Sequence, residues 1–194
     1  MAKIPASAGS KIVREFVEKL VVKGKRYVPG NPVKRGKVPT GFGKLEPDAV
    51  YTAGRRGAKD MAGHPIKYIY QTDHLGRIVK AHARPLQRPA TKLPRGPHNR
   101  RPAGKRTGDH AGHLFADIFG GSGRLDNIVA QLDDVNLSKM RMIENDWARR
   151  LDAGEVFDVD IDILYDKDGL RPIGFEITEI VDGKPGRPRE IKNN

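Results

Sequence analysis

The residues best suited to chemistry lie in RTGDHAGHLFADIFGGSGRLDNIVAQ, residues 106–131. There Asp109, His110 and His113 fall within five positions, ahead of a glycine-rich turn and Asn127. An imidazole can take a proton from water near neutral pH, so a histidine beside an acid in a basic chain is a candidate general base. Zinc is poorly served: the chain has no cysteine and no zincin spacing, which leaves two histidines and one aspartate. A second set lies in NLSKMRMIENDWARRLDA, residues 136–153, which reads as a helix stopped by Gly154. At about 100° per residue, Leu137, Met140, Ile143, Trp147 and Leu151 define a core-facing arc, and Asn136 and Glu144 fall inside it. An amide and a carboxylate pointing inward must be satisfied. A hydrated metal ion or a paired cation would do so; alternatively, Asn136 caps the helix and Glu144 pairs with an arginine.

Other elements must hold these groups in place. Residues 10–22 read as a helix capped by Ser10, with Ile12, Val13, Phe16, Val17, Leu20 and Val21 at helical spacing. Residues 23–44, rich in glycine, proline and cations, read as a linker or extended arm. The segments 66–73 and 77–83 form a predicted hairpin, and 84–106 a proline-rich loop. VFDVDIDILY, residues 156–165, alternates apolar and acidic residues, as a half-buried antiparallel strand does; RPIGFEITEIV, 171–181, returns beside it. Asp158, Asp160 and Asp162 are expected on a solvated face of that strand, since a row along one strand lacks the tight loop of a calcium site.

Charge separates the two ends. The 194 residues carry 36 Lys and Arg against 24 Asp and Glu, a net charge of +12. Residues 1–106 have a balance of +19 and residues 107–194 one of −7. This favours a polyanionic partner, nucleic acid first, gripped by the basic half through phosphates without reading bases. The absence of cysteine excludes disulfides and thiolate chemistry. No apolar run is long enough for a membrane helix, and residues 1–16 do not resemble a secretory signal.

The order GDHAGHLFAD, GG, LDNIVAQ, VN, and then a glutamate before a tryptophan resembles the DNA/RNA non-specific endonucleases. These are the His-Asn branch of the ββα-metal nucleases, and the likeness extends to toxin nucleases of type VII secretion and other polymorphic toxin systems. YQTDHLGRI is similar to that group's entry strands. The resemblance covers roughly residues 50–182. It implies an α+β fold: a ββα-metal nuclease core with a mixed or antiparallel sheet, preceded by a basic helix and extended arm. It also implies a division into residues 1–48 and a nuclease domain, 49–194.

The resemblance further implies the roles of individual residues. His113 is the base that activates water, Asn136 the protein ligand of one Mg²⁺ (Mn²⁺ as a substitute), and Glu144 the carboxylate that orients metal-bound waters. Asn127 and Gln131 match the segment that braces the site, with Asn127 counted among the catalytic residues. Where the family has Asp-Arg-Gly-His this chain has His110-Ala111-Gly112-His113, so the arginine is missing and Asp109 stands one place earlier. Four residues beyond Glu144 is Ala148, with Arg149 next to it. Substrate contacts are therefore expected from Asp109, Arg106, Arg124, Gln131 and Arg149. The implied substrate is DNA, with RNA as a second, and the implied partner a cognate immunity protein with an acidic face. Delivery without a classical signal peptide into a target-cell cytoplasm follows from the same likeness. The rival readings are a non-enzymatic nucleic-acid-binding protein and a degenerate nuclease serving as an interaction module.

Overall fold

A computed structural model describes residues 4–36, 41–94 and 96–194; part of the basic arm expected over 23–44 lies outside them. In chain order the elements are α1 (Lys11–Val22), β1 (Arg26–Tyr27), β2 (Ala49–Ala53), β3 (Tyr68–Thr72), β4 (Ile78–Ala83), β5 (Asp109–His113) and β6 (Ile128–Leu132). A π-helical turn, Val135–Lys139, then leads into α2 (Met140–Asp152), followed by β7 (Asp158–Tyr165), β8 (Pro172–Val181), β9 (Lys184–Pro185) and β10 (Arg189–Lys192). The large sheet runs β1-β2-β3-β4-β7-β8-β10, with β9 paired to β8, and is antiparallel except for β1 against β2. The hairpin β5–β6 stands apart as a second, two-stranded sheet.

Helix α1 begins where Ser10 Oγ accepts from Val13 N at 3.4 Å. Its buried Val13 and Val17 pack on Val50 and Ile69, one face of the large sheet. The opposite face, with Tyr51, Tyr68 and Tyr70, packs against Leu114, Phe115, Phe119, Val129, Met140, Ile143 and Trp147 of the β5–β6–α2 unit. Strand β3 is buried at every position because its two faces serve two cores, which is why it lacks apolar–polar alternation.

Two expectations need correction. The aspartates of β7 line a face that is only partly solvated, and there they are ion-paired. Asp160 accepts from His82 Nδ1 at 2.7 Å and Arg84 at 2.5 Å, and Asp162 pairs with Lys80. Cross-strand register sets His82 opposite Asp160 and Lys80 opposite Asp162, and Phe16 of α1 lies over Arg84 and His82. The helix expected from residue 136 instead begins with the π turn, whose wider spacing rotates Leu137 out of the core, leaving it 55% exposed. Met140, Ile143 and Trp147, beyond that turn, are buried as their spacing predicts.

Candidate active site in a cationic cleft

His113 closes β5, opposite Ile128, and is half-buried. One residue earlier, Gly112 is required by space: a Cβ there would lie 2.1 Å from Gln131 Oε1. Gln131 is fully buried across the hairpin, and its Nε2 donates to the His113 carbonyl at 3.5 Å. The far end of the hairpin is fixed by charge. Asp109, 5% exposed, accepts two hydrogen bonds of 2.8 Å from Arg171 and one of 2.9 Å from Arg106 N. The Arg171 guanidinium holds this carboxyl below the usual carboxylate range. Asn193 covers the outer edge of β6: its Oδ1 accepts from Leu132 N at 2.8 Å and its Nδ2 donates to Ala130 O at 3.1 Å.

Asn127 is committed to backbone and core. Its Oδ1 accepts from Tyr70 OH at 2.7 Å and Phe115 N at 3.0 Å, while Nδ2 donates to Phe115 O at 2.8 Å and Ser122 O at 2.7 Å. Every hydrogen-bonding direction of the carboxamide is thereby occupied, so Asn127 holds the 114–127 loop and offers no atom to a substrate. Asp109, with both oxygens engaged by Arg171, is a brace for the same reason.

His113 borders an open cleft of about 1330 Å³, whose lining cations include Arg55, Arg56, Lys67, Lys92 and Arg124. Asp117 and Asp126 are its acidic members. Arg55 NH1 pairs with Asp117 Oδ2 at 3.1 Å. Asp126 is buried, and burial raises its pKa against the opposing pull of Arg124 and Lys67. Of the arginines expected at the substrate, Arg124 lines this cleft; Arg106 and Arg149 are exposed and do not, and Arg149 is paired with Asp146 at 2.6 Å. Arg55, Lys67 and Lys92 were not singled out from the sequence. The glycine-flanked pair Arg55-Arg56 directly after β2 is the signal that marks a strand-end cation.

Asn136 and Glu144 sit on the helical side of the hairpin. Asn136 Nδ2 lies 3.3 Å from His110 Nδ1, three residues before His113 on the same strand. That contact leaves the amide oxygen unengaged by any described residue. Glu144 is half-buried and makes no hydrogen bond or ion pair with a described residue. Burial, and next the charge of Asp117, push its pKa up to about 7, against a lowering by Arg141. Among the described residues no three His, Cys, Asp or Glu side chains converge as metal ligands. The available donors are hard oxygens: one amide carbonyl and one under-solvated carboxylate. They suit a largely hydrated divalent ion better than a zinc site built from side chains.

A family model for DNA/RNA non-specific endonuclease matches residues 57–183. The type VII secretion system protein EssD of Staphylococcus aureus, strains USA300 and NCTC 8325 / PS 47, is 31% identical over 129 residues, 62% of this chain. The chain spans about a fifth (21%) of the length of these relatives. Among solved structures, the Sda1 nuclease with a bound zinc ion aligns with TM-score 0.52 at 14% identity, covering 66% of this chain and 76% of that one. This likeness bears on the fold alone, and the fold is the α+β arrangement of a ββα-metal nuclease. NucA from Streptococcus agalactiae, with magnesium bound, aligns with TM-score 0.49 at 17% identity over 98% of this chain and 93% of that one.

Proposed function

Because the chain belongs to the DNA/RNA non-specific endonuclease family and is by that membership an endonuclease, we propose that it hydrolyses phosphodiesters of DNA, and of RNA, in the cleft bordered by His113. The observation that carries this reading is the imidazole of His113, at the end of a braced hairpin, bordering a cleft rimmed by Arg55, Arg56, Lys67, Lys92 and Arg124. A phosphodiester repels an attacking anion, so the cations both hold the backbone and offset the charge that develops on the phosphoryl oxygens. His113 takes a proton from water as the water oxygen bonds to phosphorus. The P–O bond to the leaving oxygen breaks and that oxygen takes a proton from solvent. Asn136 would hold a divalent ion, Mg²⁺ with Mn²⁺ as a substitute, through its amide oxygen, and Glu144 would orient water around it. When bound, the ion supplies Lewis-acid stabilisation of the oxygens that gain charge. His110, through Asn136 Nδ2, fixes which way that amide faces.

The name of the EssD relatives supports a further reading at the level of the whole protein. This chain would be the nuclease part of an effector exported by a type VII route, acting in a target-cell cytoplasm and restrained in the producer by an immunity protein with an acidic face. No helix among the described residues is long and apolar enough to cross a membrane.

Incubation of the purified protein with plasmid DNA and with structured RNA, with Mg²⁺ or with chelator, tests the activity. Degradation that needs the divalent ion and falls at least about a hundredfold in His113→Ala is expected. Binding without cleavage would favour a nucleic-acid-binding protein or a degenerate nuclease. Cleavage undiminished in His113→Ala would remove the base while leaving the class intact.

A further inference from the structure

His113 does not face the cleft alone. The ring of His98 lies with its centroid 4.8 Å from that of His113 and its plane inclined by 18°, a stacked pair. His98 comes from the irregular connection between β4 and β5 and is exposed, so no helix or strand holds it there. Two attachments do. Downstream, Asn99 N donates to Gly123 O at 2.7 Å. Gly123 admits this contact because a Cβ would stand 2.4 Å from Pro97 O and 3.5 Å from His98 Cα. Upstream, Arg55 donates to Pro94 O, and the Cβ position of Gly96 is 3.4 Å from the same guanidinium. Asn99 Oδ1 accepts from Arg101 N at 2.8 Å and closes the turn. Residues 96–99 are thus strapped across the mouth of the β5–β6 hairpin, with His98 their single aromatic side chain.

We propose that His98 is a positioning residue for the base: stacked on His113, it fixes the plane of that imidazole so that one ring nitrogen stays aimed at the attacking water. This rests on His113 being the base. The torsion that sets a histidine's ring plane is broad, so a half-buried imidazole needs an external restraint. A second aromatic ring in parallel contact supplies one without occupying either nitrogen. Aim matters because small misplacements of a reacting group cost large factors in rate. The strap also ties this restraint to Arg55, so a cation of the cleft and the orientation of the base depend on one loop.

The test is steady-state cleavage of a short oligonucleotide duplex with saturating Mg²⁺ by the parent protein, His98→Ala, His98→Phe and His113→Ala, with a thermal midpoint for each. His98→Ala is expected to lower kcat about tenfold with KM within about twofold, and His98→Phe, which keeps a planar ring but no charge or nitrogen, to recover kcat to within about threefold of the parent. Because His98 is exposed, both midpoints should match the parent. A raised KM with unchanged kcat in His98→Ala, or a His98→Phe no better than His98→Ala, would overturn the proposal in favour of a direct substrate contact. If His113→Ala abolishes cleavage while His98→Ala is indistinguishable from the parent, the positioning role alone fails. If His113→Ala cleaves like the parent, the reading beneath it fails too.

Discussion

Glu144 is costly to the fold, and in the proposed mechanism it is the carboxylate that orients water. Its carboxyl is half-buried beside Asp117, and its value of about 7 lies above its ordinary 4.5. The native state therefore binds its proton more tightly than the unfolded chain does. That contribution to stability is present in full below about pH 4.5 and is lost as pH rises through about 7. Glu144→Gln cannot ionise and should escape the loss. In the presence of chelator, urea unfolding of this variant and the parent should nearly coincide at pH 4 and differ at pH 8 by on the order of 1–3 kcal/mol in favour of the variant. Nuclease activity should fall in the same variant. Parallel stability profiles across this range would show that the carboxyl is better solvated than its surroundings imply. Asn127 and Asp109 are the contrary case at the same scale: residue types that suggest chemistry, but whose polar atoms all serve the fold.

Among elements, the β5–β6 hairpin carries the proposed base His113, and one residue before it Gly112 is in close contact with Gln131. Gly112→Ala sets a methyl group 2.1 Å from a fully buried amide oxygen. It should cost about 1–3 kcal/mol of stability and displace the His113 carbonyl to which Gln131 donates. Adding Gln131→Ala should relieve the clash, so the double variant should be more stable than the sum of the two single losses predicts. Denaturant unfolding of the four proteins checks this. Elements with regular spacing were legible in the sequence: α1 from its Ser10 cap and apolar repeat, β7 from alternation and β8 as the strand that returns beside it. Strand β5 was not, since Asp-His-Ala-Gly-His has little β preference and is a strand because Arg171, Gln131 and Asn193 hold it and its partner. The rotation of Leu137 was hidden too, because apolar spacing cannot announce one extra residue in a helical turn. In the site itself, spacing pointed to His113, Asn136 and Glu144 as inward or reactive. It could not reveal Arg55 or His98, which meet His113 at the cleft only through loops far apart in the chain.

Over the whole molecule, the division into a basic and an acidic half dissolves into one sheet. Acidic β7 lies beside basic β4, and Asp160 and Asp162 neutralise cations that composition alone would assign to nucleic acid. Of the cations left to meet a nucleic acid, Lys92 and Arg124 are exposed where they line the cleft. Binding of a short DNA duplex in chelator, where no cleavage competes, should weaken steeply with salt. A logarithmic slope of about 3–4 is expected from the four cleft cations that have no ion pair with a described residue, Arg56, Lys67, Lys92 and Arg124, and Lys92→Ala with Arg124→Ala should reduce it by about 2. A slope unchanged by the pair would place the grip elsewhere on the surface.

The clasp formed by Arg171 and Asn193 has a consequence for the order in which the molecule is assembled. A two-stranded ribbon is marginal by itself in water, and this one is fastened by groups more than thirty residues downstream of its second strand. A polypeptide emerging from a ribosome carries His113 long before it carries the parts that hold that residue still. Hydrolytic competence is therefore a property of late folding, and a partly synthesised chain should leave the nucleic acids around it intact.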